Sequence, residues 1–304
     1  MKIVITGGRG LIGSALSNLL LQDGNQVLVL TRNPSSIEST PKNITFVHWD
    51  AVTDKGWGHI LNDVDAVIHL AGENLSAGLW TPKQKIKILE SRVKSGQAIV
   101  QAFQKAKRKP LVLIQASGAG YYGVSNPELL DENAPNGQDY LSALAREWEE
   151  STQAVEAMGV RRVIIRSGVV FAPDGGALKR MVLPFKAFLG GKLGSGNQWL
   201  SWIHIEDEVR AIQFLIHHEL ASGPFNLSAV PVTNSQFAQT VGKVLTRPAV
   251  LPVPSFALRL LLGEMSTVVL DGQRLSARRL SNLGFTFKYP LIEDALKNIL
   301  VTQS

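Results

Sequence analysis

Ser117, Tyr121 and Tyr122 of "IQASGAGYYG" (114–123) set a hydroxyl just ahead of two phenols at the end of an apolar run. A serine that hydrogen-bonds a reacting oxygen, beside a tyrosine that moves its proton, is equipment for hydride transfer on an alcohol or carbonyl. Such a tyrosine usually has a lysine one helical turn on, whose charge lowers its pKa. Here Tyr121, Tyr122, Tyr140 and Tyr289 are followed at that spacing by Ser125, Asn126, Leu144 and Glu293. The relay is missing, and an unassisted phenol, with a pKa of about 10, is a poor base at neutral pH. Tyr121 or Tyr122 is the best acid–base group left, with Ser117 to hold the reacting oxygen. His204 and Asp207 in "SWIHIEDEV" read as a structural junction, with the acid near a helix N-terminus. The pair His217–His218 has no third ligand at metal spacing, and with no cysteine there is no thiolate site, so no metal is expected.

A nucleotide cofactor is announced at the other end of the chain. In "IVITGGRGLIG" an apolar run leads into Gly7, Gly10 and Gly13, with Leu11 and Ile12 opening a helical pattern. In that strand–turn–helix context the first glycine permits the tight turn and the second lets backbone approach a pyrophosphate. The third lets helix pack on strand, with the anion at the helix N-terminus. The next strand, "VLVLTRNPSS", ends on Thr31 and Arg32 where an NAD enzyme would carry an acid. Arginine pairs with a 2′-phosphate that a carboxylate would repel, so NADP(H) is the preferred cofactor. Asp50 in "VHWD" is placed to accept from an adenine amino group. "HLAGEN" (69–74) ends the following strand in small residues, Gly72 among them, that let backbone pass near the cofactor. Its Glu73 and Asn74 are candidates to face the ribose or the cleft.

Both sets of residues need a scaffold, and the chain's periodicity supplies one. Short, continuously apolar runs at 2–6, 26–31, 44–47, 66–70, 111–116 and 162–166 fit a parallel sheet covered on both faces. Helical patterns fall between them: from the glycine loop to near Gly24, from Thr81-Pro82 onward, and from about Tyr140 to Met158, stopping at Gly159. This is the pattern of an α/β, Rossmann-type doubly wound sheet. After Arg166 come glycine-rich and proline-broken segments that read as a smaller lobe, leaving a cleft. A hydrophobic fraction of 45% with 18% charged residues is that of a soluble globular chain. No apolar run approaches the roughly 18 residues of a membrane span, and "MKIVITGG" enters a strand without a leader, so a cytoplasmic protein is expected. The net charge of +6 is spread over short helical groups without stacking aromatics, which argues against nucleic acid and for a small anionic ligand.

The residues together resemble the extended short-chain dehydrogenase/reductase superfamily, the NAD(P)-dependent epimerase/dehydratase group. Within it they resemble the atypical subfamily of YfcH-like and SDR39U1 epimerase-family proteins. The resemblance runs in order through "TGGRGLIG", "LAGEN", "SRV", "GYYG", "RSGVVFAPDGGAL", "GSGNQWLSWIHIED" and "GQR". It implies an NADP-binding Rossmann domain at 1–166, with 201–228 returning to it, and a substrate-binding lobe at 167–200 and 229–304. It also implies cofactor contacts from the glycine loop, Thr31 and Arg32, Leu70, Ala71 and Arg92. In the superfamily the tyrosine–lysine pair begins the helix after the "YG" loop; here Leu141 and Ala145 take those places. Gln198 and Trp199 are expected at the cleft rim, binding substrate. The function implied is an NADP(H)-dependent oxidoreductase or epimerase on a small polar substrate, nucleotide-linked substrates included. A catalytically silent NADP(H)-binding sensor is the alternative the missing relay leaves open. Oligomeric state is not encoded in any of these motifs.

Overall fold

The computed structural model describes residues 1–34, 43–124 and 128–301. Each apolar run of the first half forms a strand: β1 (Lys2–Thr6), β2 (Gln26–Thr31), β3 (Ile44–His48), β4 (Ala66–His69), β5 (Val112–Gly118) and, after the short β6 (Leu129–Leu130), β7 (Arg161–Ser167). The second half adds β8 (Val169–Phe171), β9 (Trp199–Leu200), β10 (Trp202–His204), β11 (Gly223–Leu227), β12 (Val232–Thr233) and β13 (Arg274–Leu275). Seven strands make one sheet in the order β11-β7-β5-β4-β1-β2-β3, parallel throughout. The order reverses between β1 and β4, so the crevice outside their carboxyl ends is where such a sheet takes a ligand.

Helices cover both faces, which is why most of the strands are apolar along their length. On one face α1 (Leu11–Gln22) lies against a later helix, and Leu16 and Leu20 meet Ile3, Ile5, Ile114 and Val163. On the other, α2 (Pro82–Lys105) and α3 (Tyr140–Glu150) lie over Val4, Val67 and Leu113, with Phe103 and Trp57 filling the layer. Thr81 caps α2 by accepting from Gln84 N at 3.2 Å, with Pro82 in its first turn, and Asp139 caps α3 by accepting from Ser142 N at 2.9 Å. The expected single helix from Tyr140 to Met158 instead breaks after Glu150, and residues 153–158 form a separate 3-10 turn before Gly159. Ser151 explains the break. Its hydroxyl bonds Trp148 O at 2.6 Å, and it packs so closely on Gly96 of α2 that no Cβ fits between them.

The later helices are α4 (Gly176–Lys186), α5 (Ile205–His217), α6 (Asn234–Leu245), α7 (Ser255–Leu262), α8 (Thr267–Leu270), α9 (Arg278–Asn282) and α10 (Ile292–Leu300), and a second core forms among α4, α6 and α10. Phe171, Phe185, Trp202, Phe237 and Leu296 are buried together there. Of these helices α5 is the one that packs on α1, and β11 joins the sheet at its edge beside β7. Asp207, fully buried in the first turn of α5, ties the tail to this unit. It accepts from Lys288 N and Tyr289 N at 2.8 Å each and pairs with Arg210. His204 caps the same helix through Glu206 N at 3.1 Å, so this segment is the structural junction its sequence suggests.

Candidate functional site

At the β1 end of the crevice the backbone is shaped by what it excludes. Gly7 has φ +69, and a Cβ there would lie 2.8 Å from Leu70 C and O, so the turn and the end of β4 touch through this glycine. A Cβ on Gly13 would collide with Gly7 O and Gly8 Cα, which seats α1 directly beneath the turn. Gly10 is different: its Cβ would meet only Gly7 O, at 3.2 Å, leaving the space above it open. Leu11 reaches Gly175 and Gly176 of the "DGG" turn, so that turn borders the helix N-terminus. Thr31 ends β2, and Arg32 follows it, exposed and with no ion pair among the described residues. Asp50 accepts from Val52 N, Thr53 N and Thr53 Oγ1 at 2.7–2.8 Å, an Asx turn at the far end of the groove.

Beneath this groove runs a buried polar layer that sequence reasoning missed. Ala71 N donates to Thr6 Oγ1 at 3.1 Å, Thr6 meets His69 Nδ1 at 2.8 Å, and His69 Nε2 meets Ser95 Oγ at 3.3 Å. Burial, reinforced by the charge of Arg92, pushes His69 down to about 3, so the ring is neutral and structural. Arg92 of α2 is 7% exposed; it donates to Glu73 O at 3.0 Å and Ile88 O at 3.1 Å, and its guanidinium lies 4.8 Å from the Trp148 ring. Burial lowers it only to about 10, so it stays cationic, and it has no carboxylate partner among the described residues. The backbone of Gly72 passes so close that a Cβ would sit 3.1 Å from Arg92 Cζ. Glu73 pairs instead with Lys87 at 2.7 Å, and Asn74 closes a turn by accepting from Ser76 N and Oγ at 2.9 and 3.0 Å.

The β5–β7 end has a different character. Ser117 donates to Glu149 Oε1 at 2.6 Å. Glu149 is buried in a two-point pair with Arg166, Nε to Oε1 and Nη2 to Oε2, both 2.9 Å. Ser117 therefore has its proton committed, contrary to the expectation that it serves a reacting oxygen as donor. Alternation along β5 shows why: Leu113, Gln115 and Ser117 share the face toward α3. Tyr122 is also corrected. It is 5% exposed, donates to Asn226 Oδ1 at 2.7 Å and accepts from Arg166 Nη1 at 3.1 Å; burial pushes it up to about 12 despite the guanidinium. Of the two adjacent tyrosines, Tyr121 keeps a hydroxyl with no hydrogen bond among the described residues, its ring 3.4 Å from the Arg166 guanidinium. The cation that reaches the two tyrosines is thus Arg166, whereas Arg92 acts on Tyr140, whose buried hydroxyl has no partner. Leu141, at the place of the expected tyrosine, faces Gly120, where a Cβ would lie 3.1 Å from its own.

Gln198 and Trp199 fall on the second lobe. The Gln198 amide donates to Leu193 O at 3.0 Å and Val269 O at 2.9 Å, tying two loops together, while Trp199 stacks on Arg274 at 4.3 Å. Trp199 lines a cavity of about 550 Å³ with Arg274 and Phe287. A cavity of about 660 Å³ lies away from the strand ends, between Asp23 and His218, so volume alone does not mark the chemistry. Glu149, Arg166, Asn226 and His69 are the polar residues the sequence did not flag. The parity of Ser117 on its strand was the signal available for the first of them.

A family model described as NAD dependent epimerase/dehydratase family matches residues 3–228, and a domain of unknown function, DUF1731, matches 253–299. An epimerase family protein of Staphylococcus aureus is 41% identical over 305 residues, covering 98% of this chain and 99% of its own. The human epimerase family protein SDR39U1 (isoform 2), solved with NADPH, superposes with a TM-score of 0.89 at 33% identity over 98% of this chain and 99% of that one. The UDP-glucose 4-epimerase of Thermotoga maritima, solved with UDP-glucose, shares the fold at a TM-score of 0.80 and 18% identity, over 98% and 96% of the two chains. Among the described residues no helix is long and apolar enough to cross a membrane, and no cluster of His, Cys, Asp and Glu could hold a metal.

Proposed function

The chain belongs to the NAD dependent epimerase/dehydratase family, and from that premise we propose that it is an NADP(H)-dependent reductase of a small polar carbonyl compound rather than an epimerase. The observation that carries this is Tyr121, the one tyrosine of the "GYYG" pair whose hydroxyl makes no hydrogen bond among the described residues. Tyr121 can give its phenolic proton to the alkoxide that hydride transfer leaves, whereas no lysine one turn on helps it take a proton from an alcohol. Epimerisation must begin by oxidising an alcohol and so needs the missing base; reduction needs only the acid. The residues that fit the cofactor are the open face of Gly10, the backbone of Gly7, Leu11, Ile12 and Gly13, and Leu70 to Gly72. Arg32 and the buried Arg92, which has no carboxylate partner among the described residues, supply charge for its phosphates. When bound, NADPH supplies a hydride at nicotinamide C4. Tyr121 would then hold the proton and deliver it to the substrate oxygen. Glu73 and Asn74, with the lobe of 167–200 and 229–304 carrying Trp199, are the proposed substrate side.

A second reading, a silent NADP(H)-binding sensor, is favoured by the closed network of Ser117, Glu149, Arg166 and Tyr122. One experiment separates the two. NADPH binding is measured by calorimetry, and NADPH oxidation is followed with a carbonyl panel at pH 7, each product alcohol then being offered with NADP⁺. The expected result is reduction at pH 7 that outpaces its reversal, and loss of both in Tyr121→Phe. Reversal as fast as reduction at pH 7 would make it an epimerase-type site after all. Tight NADPH binding without turnover of any member would favour the sensor.

A further inference from the structure

Behind the carboxyl end of β7 lies a carboxyl group with one partner and one bare oxygen. Glu208, in the first turn of α5, is 0% exposed. Its Oε1 accepts the Ser167 hydroxyl at 2.7 Å, and its Oε2 is buried with no hydrogen-bond partner. Its two neighbours differ. Glu206 pairs with Lys288 and Asp207 with Arg210, whereas no cation pairs with Glu208 among the described residues. Burial holds the carboxyl up at about 7, against only the Ser167 bond. An apolar side chain of this size would be buried there without such a penalty, so packing does not account for a carboxyl.

The topology says what Ser167 faces. Arg32 follows β2 and the glycine turn follows β1, so a dinucleotide laid along the crevice has its adenosine half on that side. With strands about 4.8 Å apart, its other half extends over β4 and β5 toward β7. Along that stretch Ser117 is committed to Glu149, Gly118 has no side chain, and Ser167 is the register partner of Gly118. A serine held as donor to a carboxyl turns its lone pairs outward, as an acceptor. The nicotinamide ring itself carries one donor group, its primary amide, beside the hydroxyls of the ribose that bears it.

We infer that Glu208 is a positioning residue which, through Ser167, fixes a hydrogen-bond acceptor for the carboxamide of the cofactor's nicotinamide; this rests on the NADP(H) reading above. The test compares NADPH with 2′-phospho-ADP-ribose, the same molecule without nicotinamide, by calorimetric titration of the wild type, Glu208→Gln, Glu208→Leu and Ser167→Ala. Glu208→Leu and Ser167→Ala are expected to weaken NADPH about three- to tenfold, the worth of one neutral hydrogen bond, and to leave 2′-phospho-ADP-ribose unchanged. Glu208→Gln, whose amide oxygen still accepts from Ser167, keeps NADPH affinity. Parallel weakening of both ligands shows a merely structural role and overturns the inference, as does unchanged NADPH affinity in both disruptive variants. If Glu208→Leu does not fold, Ser167→Ala carries the same comparison. Failure of the wild type to bind either ligand brings down the NADP(H) reading itself. Binding of both without the expected contrast leaves that reading standing and removes only this one.

Discussion

The two ends of one sheet edge solve opposite problems. Over β1, β2 and β4, among the described residues, Arg32 is exposed without an ion pair, Arg92 is buried against carbonyl oxygens with no carboxylate, and the face above Gly10 is open. Over β5 and β7 it satisfies itself, with Ser117, Glu149, Arg166, Tyr122 and Asn226 bonded in a chain. The difference is between groups left without a counter-charge and groups bonded to one another. Of the residues that look most catalytic in the sequence, Ser117 and Tyr122 are bonded within the protein, whereas Tyr121 has no hydrogen bond at its hydroxyl among the described residues.

The comparison breaks first at Glu149. Removing one partner of a buried ion pair strands the other, so Glu149→Ala should cost about 3–5 kcal/mol in urea denaturation. A loss below about 1 kcal/mol would mean the β5–β7 end is not closed on itself. Next comes Glu208, whose folded pKa of about 7 stands above the ordinary carboxyl value of 4.5. Between those pH values the folded state keeps a proton the unfolded chain has lost, so stability falls as pH rises through that window and stays lowered above it. Glu208→Gln should therefore gain up to about 3 kcal/mol over the wild type at pH 8 and little at pH 4, read from thermal unfolding across pH. Arg32→Ala sharpens the open end. NADPH affinity should drop about ten- to a hundredfold while NADH affinity barely moves, because only the former has a 2′-phosphate. Equal losses would detach Arg32 from that phosphate. Smallest is Ser117→Ala, expected to cost about 1 kcal/mol of stability and to leave NADPH binding intact, since its proton serves Glu149.

The open end was largely legible in the sequence because its demands are local. A turn that admits only glycine, a helix that starts on it and a residue at a strand end all lie within a few positions of each other. The strands were legible for a related reason: burial on both faces writes a continuous apolar run, as in β2 and β5. The closed end was not. Glu149 and Arg166 meet from α3 and β7, and Asn226 reaches Tyr122 from β11, contacts that no short-range pattern records. Glu208 sat unnoticed among three acids at a helix start, where the dipole argument explains all of them equally well. The helix break after Glu150 was hidden likewise, since the pressure comes from Gly96 on a neighbouring helix.

The late arrival of β11 also sets the order in which the chain can be assembled. It covers the outer edge of β7, yet it follows an excursion of residues 171–202 into the second core and a return through α5. During synthesis β7 must stand as an unpaired edge, its N–H and C=O groups bare, until α5 and β11 have emerged. A fragment ending near Arg166 would carry that edge permanently and offer it to a second copy. The sheet is therefore not a unit that finishes before its neighbour begins: its last strand is delivered by the lobe it supports.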